Sequence, residues 1–265
     1  AADILTEVKT LVDQGVIEIT LLGQNVNAYG VDFGDRQAFA NLLRECGKID
    51  GLERVRFMSP HPRDFTDDVI EAMAQTPNVM PHLHMPLQSG SDRVLQQMRR
   101  SYRSDRYLGI LDRVRSAIPH AAITTDIIVG FPGETREDIE ELKEFLTQQQ
   151  FDRVGVFTYS HEEDTSAFTL ADTLTQEEKE ARAQEIMEWQ QDISYALNQK
   201  KIGQEFRVIV DKKEAGRYIA RSAADSVEVD NEIIIQTQKK LAPGQFVTVR
   251  ITKAYDYDLE GELVD

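Results

Sequence analysis

Residues 122–146 read AITTDIIVGFPGETREDIEELKEFL, an eight-residue apolar and β-branched run, a Gly-Phe-Pro-Gly-Glu turn, and a helix-forming tail. The run predicts a buried strand over 122–129, and the spacing that follows predicts a helix over 137–149. Pro132 fixes the bend, Gly130 and Gly133 let backbone amides approach a neighbour, and Thr135 with Asp138 three residues on forms a capping-box pattern. A helix start with free amides suits a carboxylate, a phosphate or a ribose. The same turn serves equally as a ligand-free connection, since strand-turn-helix units commonly use Gly and Pro.

Working outward, the same alternation repeats. A helix is predicted over 3–13 and ends at Gly15. Strands follow at 16–22, 54–58, 82–87 and 154–160, with helices at 38–45, 65–75, 93–99, 106–117 and 176–200. This rhythm predicts an α/β fold with parallel strands and right-handed crossovers, as an open sheet or a barrel. A barrel of this kind places its site where the strands end. Each strand here ends on polar or turn-forming residues: Gln24-Asn25, Ser59-Pro60-His61, Gln88-Ser89-Gly90, Gly130 to Glu134, and Tyr159-Ser160. After Gly203 the pattern changes to five short β-rich segments, which predict a small antiparallel barrel of the OB type. The boundary falls near Ile202, giving a larger domain over 1–201 and a smaller one over 202–265.

Composition narrows the function. The formal charge is −16, which repels phosphate backbones on average and attracts basic partners, though a local basic patch can still bind RNA. No apolar run approaches the roughly 20 residues of a membrane span, and the first residues lack a signal-peptide pattern, so a cytoplasmic protein with no membrane partner is expected. One cysteine, Cys46, excludes internal disulfides and any multi-cysteine metal site within these residues. His82 and His84 fall on one strand face and read as packed or hydrogen-bonded histidines, since no third ligand follows at metal spacing. Residues 98–106, MRRSYRSDR, form a basic cluster that suits either a bound anion or a solvated helix end.

Taken together, LLGQNVNAYG (21–30), SPHPRDF (59–65), HLHMPLQSGSDRVLQQMRR (82–100) and TTDIIVGFPGET (124–135) strongly resemble the radical S-adenosylmethionine methylthiotransferases. The resemblance covers essentially the whole chain and implies a partial (βα) barrel followed by a TRAM domain. It implies that S-adenosylmethionine lies at the strand ends. Gln24 and Asn25 would lie near its methionine end, with Ser59 at the neighbouring strand end. Gln88 and Ser89 would meet its ribose or amino acid, and Arg100 its carboxylate. Asp126 and the turn of Gly130, Phe131, Pro132, Gly133 and Glu134 would border its nucleoside. No general base is implied, because the family chemistry is radical: an iron–sulfur cluster supplies an electron, from a donor that the sequence leaves open.

Two departures stand out. The family's C-x3-C-x2-C cluster loop and N-terminal domain do not occur in these residues, and Cys46 reads as a buried small residue. These 265 residues alone are therefore expected to hold no cluster and show no radical activity, with the first barrel strand missing. Secondly, the chain to about Asp138 resembles the branch that modifies isopentenyladenosine in tRNA. From about Phe151 it resembles the branch that modifies an aspartate of a small-subunit ribosomal protein. Residues 203–265 carry 9 Lys and Arg against 12 Asp and Glu, a net of −3, whereas an RNA-recruiting barrel is expected to be basic. The barrel half favours tRNA, and tRNA is placed first; a catalytically inactive RNA- or protein-binding scaffold is the alternative from another class.

Overall fold

The computed structural model describes all residues except Asp164, Glu228, Val229 and Asp265. Among the described residues, five parallel strands and seven α-helices precede a closed barrel of five more strands. In the first part α1 (Ala2–Asp13) leads to β1 (Glu18–Leu21), α2 (Ala38–Cys46), β2 (Arg54–Phe57) and α3 (Asp67–Gln75). Then come β3 (His82–His84), α4 (Asp92–Gln97), α5 (Ser104–Ala117), β4 (Ala122–Val129), α6 (Arg136–Gln149), β5 (Arg153–Thr158) and α7 (Gln176–Gln199). β1 pairs with β2, and β3, β4 and β5 form a second parallel sheet. A parallel bridge between Val55 and Val79 links the two sheets.

β4 has the predicted bounds because its Ile, Val and Thr side chains are buried along nearly its whole length. Short β-branched side chains suit that environment, and each large one fully buried stabilises by about 1.5–3 kcal/mol. Its helix starts at the predicted capping box: the Thr135 hydroxyl accepts from the Asp138 amide, and the Asp138 carboxylate accepts from Thr135. β3 is shorter than its apolar run, because Pro86 lacks an amide donor and the chain turns at Gln88, whose φ is +76°. α3 starts at Asp67 rather than Phe65, after a short 3-10 turn opened by Pro62.

The second barrel comprises β6 (Glu205–Glu214), β7 (Arg217–Arg221), β8 (Ile233–Ile235), β9 (Phe246–Ala254) and β10 (Leu259–Leu263). They close in the order β10-β8-β7-β6-β9. The expected barrel is present, but not wholly antiparallel: β8 and β10 run parallel. The Asp258 carboxylate accepts from the Glu232 amide, and the Leu259 amide donates to the Glu232 carbonyl, which starts β10 alongside β8 in the same direction.

Buried ion pairs join the two parts. Glu18 accepts from Arg56 at 2.8 Å and from Arg221 at 2.9 Å, and Arg221 also pairs with Asp211 at 2.6 Å. Arg153 at the start of β5 pairs with Asp225 at 3.0 Å and Asp230 at 3.1 Å. Burial alone would raise the Glu18 pKa, but the bonds from Arg221 and Arg56 outweigh it and hold the carboxyl below its ordinary value. Thus the loop after β7 covers the N-terminal ends of β1, β2 and β5, opposite the strand ends that carry the candidate residues. Asn198, late in α7, adds a further tie by donating to carbonyls at Tyr255 and Tyr257.

Candidate functional site

The C-terminal ends of β1 to β5 carry the polar residues singled out above. Two of them sit in backbone conformations that ordinary residues rarely adopt, Ser59 at φ +59° and Gln88 at φ +76°. Such strain persists only where surrounding structure holds it, and it concentrates at binding sites. Here the Gln88 amide donates to the Asp126 carbonyl and its carbonyl accepts from the Ile128 amide, which locks the turn onto β4.

Gln88 and Asp126 meet in an open depression of about 440 Å³, walled by Ile128, Phe157, Tyr159 and Ser160. Asp126 is held by a chain of hydrogen bonds. His84 Nε2 lies 3.0 Å from Asp126 Oδ2, His84 Nδ1 lies 2.8 Å from Thr124 Oγ1, and the same hydroxyl lies 3.2 Å from His82 Nε2. Thr124 thus links the two imidazole rings and His84 carries the chain on to Asp126, so each group finds a partner. Burial, followed by the nearby Arg153 charge, pushes the His82 pKa down to about 3. Both histidines are therefore hydrogen-bonded, as expected. Gly155 provides the seat for Asp126: a β-carbon there would lie 2.4 Å from Asp126 Oδ1 and 3.0 Å from the Phe157 ring.

The other candidates divide. Gln24 and Ser59 are exposed at the mouth. Asn25 donates to Asp64 at 2.7 Å, while its Oδ1 is buried with no partner. Arg100 likewise has a buried, unpartnered Nε, and its charge acts on His61 and Tyr102 beside it. Ser89 turns away from the depression, its hydroxyl accepting from the Ser91 amide inside the fold. The Gly130 to Glu134 turn also faces inward. Glu134 is buried, accepting from the Gly130 amide at 2.9 Å and from Arg182 of α7 at 2.8 Å. Gly130, at φ +76°, approaches Lys179 so closely that a β-carbon would fall 2.4 Å from its Cγ. Phe131 packs edge-on to Tyr159 at 5.2 Å, and Pro132 is buried. Gly133 is exposed. The turn thus braces the depression wall against α7 and leaves Gly133 as its outward part.

The donor and acceptor types here suit S-adenosylmethionine, with Gln88 and Asp126 in the depression and Asn25 in a separate cavity beside α1 and β1. Arg100 offers a cation to a carboxylate, Asn25 an unused acceptor to an ammonium, and Asp126 and Gln88 offer polar groups to sugar hydroxyls. An iron–sulfur cluster does not fit: Cys46 is fully buried at the end of α2, and burial pushes its thiol up to about 11. Among the described residues no group of three or more His, Cys, Asp or Glu is placed to hold a metal ion. Sequence reasoning left out Gly155 and Phe157; a glycine inside a strand is a signal of close approach that would have marked the first.

Comparison with known proteins bears on this geometry. The pattern of the radical SAM superfamily matches residues 1–146, and that of the TRAM domain matches residues 202–264. The tRNA-2-methylthio-N(6)-dimethylallyladenosine synthase of Streptomyces avermitilis is 53% identical over 262 residues, covering 98% of this chain and 52% of that protein. The protein of that name in Nocardia farcinica is 51% identical over 267 residues, covering 97% and 53%. The chain thus spans about half the length of the curated relatives it matches, and the likeness runs through its second half as well as its first. Among solved structures, the radical SAM enzyme coproporphyrinogen III oxidase from Escherichia coli superposes with a TM-score of 0.52 at 14% identity, over 78% of this chain and 53% of that one. That likeness shows the fold alone.

Proposed function

This chain belongs to the radical SAM superfamily, and on that premise we propose that it forms the cofactor-binding core and TRAM domain of a tRNA methylthiotransferase. The target is the dimethylallyladenosine next to the anticodon. The observation that carries the reading is identity above 50% to synthases of that name along 98% of the chain, small barrel included. The enzyme would work in the cytoplasm, and no helix among the described residues is long and apolar enough to cross a membrane.

S-adenosylmethionine, when bound, supplies the radical chemistry. What these residues contribute is placement. Arg100 holds the carboxylate, and Gln24 with Asn25 meets the methionine end. Gln88 would meet the sugar and Asp126 would border the nucleoside, and the braced Gly130 to Glu134 turn keeps the wall at Tyr159 fixed. The residues supply no thiolate set for the reducing cluster, so no step through it is assigned to them.

Methylthiolation of an aspartate in a basic ribosomal protein is the second reading, favoured by the net charge of −3 on residues 203–265. Fluorescence anisotropy separates the two. An RNA hairpin carrying dimethylallyladenosine in its loop is expected to bind more tightly than a basic ribosomal-protein segment; binding of the protein segment alone would overturn the tRNA assignment.

A further inference from the structure

A second cleft, of about 490 Å³, opens below the depression, between the inner face of the strands and the small barrel. Its lining comes from both domains. The first contributes His84, Asp126, Arg153 and Phe157; the second contributes Asn231 and Tyr257. Two exposed aromatic rings line it, Phe157 at 56% and Tyr257 at 47%. No ring pair or cation contact within the described residues occupies either face.

The charge around these rings is informative. Arg153 is the cation of the cleft, and it is already neutralised by Asp225 and Asp230. Asp126 lies on the edge that the cleft shares with the depression, fixed in place by His84 on one side and by the missing β-carbon of Gly155 on the other. A phosphate would meet carboxylates and no spare cation. An uncharged planar ring would meet two exposed aromatic side chains. Stacking on aromatic side chains tolerates any base.

We propose that the cleft walled by Phe157 and Tyr257, with Asp126 at its upper end, is a stacking subsite for one unpaired base of an RNA loop. This inference rests on the tRNA reading above and deepens it. The subsite exists only where the two domains meet, so the small barrel completes a base-binding surface as well as extending the molecule. Gly155 acts as a positioning residue, since a side chain there displaces both the carboxylate and the ring.

The test uses the 265-residue chain and a fluorescent RNA hairpin with an unpaired loop, in which each loop base is replaced in turn by an abasic site. Phe157→Ala and Tyr257→Ala are each expected to weaken hairpin binding about tenfold, the order of one lost base stack. Tyr257→Phe restores it, because the ring and not the hydroxyl does the stacking. At one loop position, removing the base should cost the same tenfold in the wild type and nothing further in Phe157→Ala. Both positions are exposed, and unchanged thermal melting of the variants confirms that the fold is intact. If the wild type binds the hairpin and both alanine variants bind it equally well, the subsite is overturned while the tRNA reading stands. If the wild type binds no hairpin, both fall together. If an arginine-containing peptide shows the same dependence on the two rings and the hairpin does not, the cleft belongs to a protein ligand and the proposal is overturned.

Discussion

His82 is buried on β3, hydrogen-bonded to Thr124 and near the charges of Arg153 and Arg56. Its pKa in the fold, about 3, lies below the ordinary value of about 6.5. Below pH 6.5 the unfolded chain therefore takes up a proton that the folded chain refuses, and stability falls as pH falls. Chemical denaturation at pH 7.5 and pH 5 is expected to show this loss, and His82→Gln should make it smaller. An unchanged pH dependence in that variant would place the loss elsewhere. Sequence alternation put His82 and His84 on one face correctly. It could not show that His84 aims at Asp126, because that contact joins residues 42 positions apart through the pairing of β3 with β4. Glu134 is the converse case. Its place in the Gly-Phe-Pro-Gly-Glu turn suggested a ligand contact, yet its partner is Arg182 on a helix that no local pattern connects to it.

At the scale of elements, the best-read pieces are those whose own chemistry decides them. β4 and the capped start of α6 belong here, since burial on both faces favours one and a side-chain cap fixes the other. The parallel pairing of β8 with β10 depends instead on how Asp258 and Leu259 engage Glu232, which no periodicity encodes. The bracing of the central turn by α7 is a similar tertiary fact with a measurable consequence. Arg182→Ala leaves Glu134 buried without its cation, and a loss of roughly 3 kcal/mol is expected. Burial already raises the Glu134 pKa, and removing Arg182 raises it further, so the variant should lose more stability at pH 7 than at pH 5. Glu134→Gln in the same chain should recover part of the loss. A stability difference within 0.5 kcal/mol of the wild type, roughly the size of a neutral surface change, would show that the turn does not depend on α7.

At the scale of the molecule, two open parallel sheets and a closed barrel are joined by buried charge, with Glu18, Arg221 and Arg153 at the junction. This joining places Asp126 and Tyr257 of the two parts in the lining of one cleft. The order of the strands and the polar residues at their ends were legible from residue spacing. The junction was not, because arginines in the strand sequence RVRF (54–57) look like ordinary surface charge until the second barrel covers them. The central claim is that the strand ends bind S-adenosylmethionine through Arg100, Gln88 and Asp126. It is tested most directly by anaerobic calorimetric titration of the chain with S-adenosylmethionine. The account predicts weak, saturable, one-to-one binding, reduced at least about tenfold by Arg100→Met, as expected for loss of a charge-assisted bond. No binding to the wild type, or equal binding to the Arg100→Met variant, would contradict it.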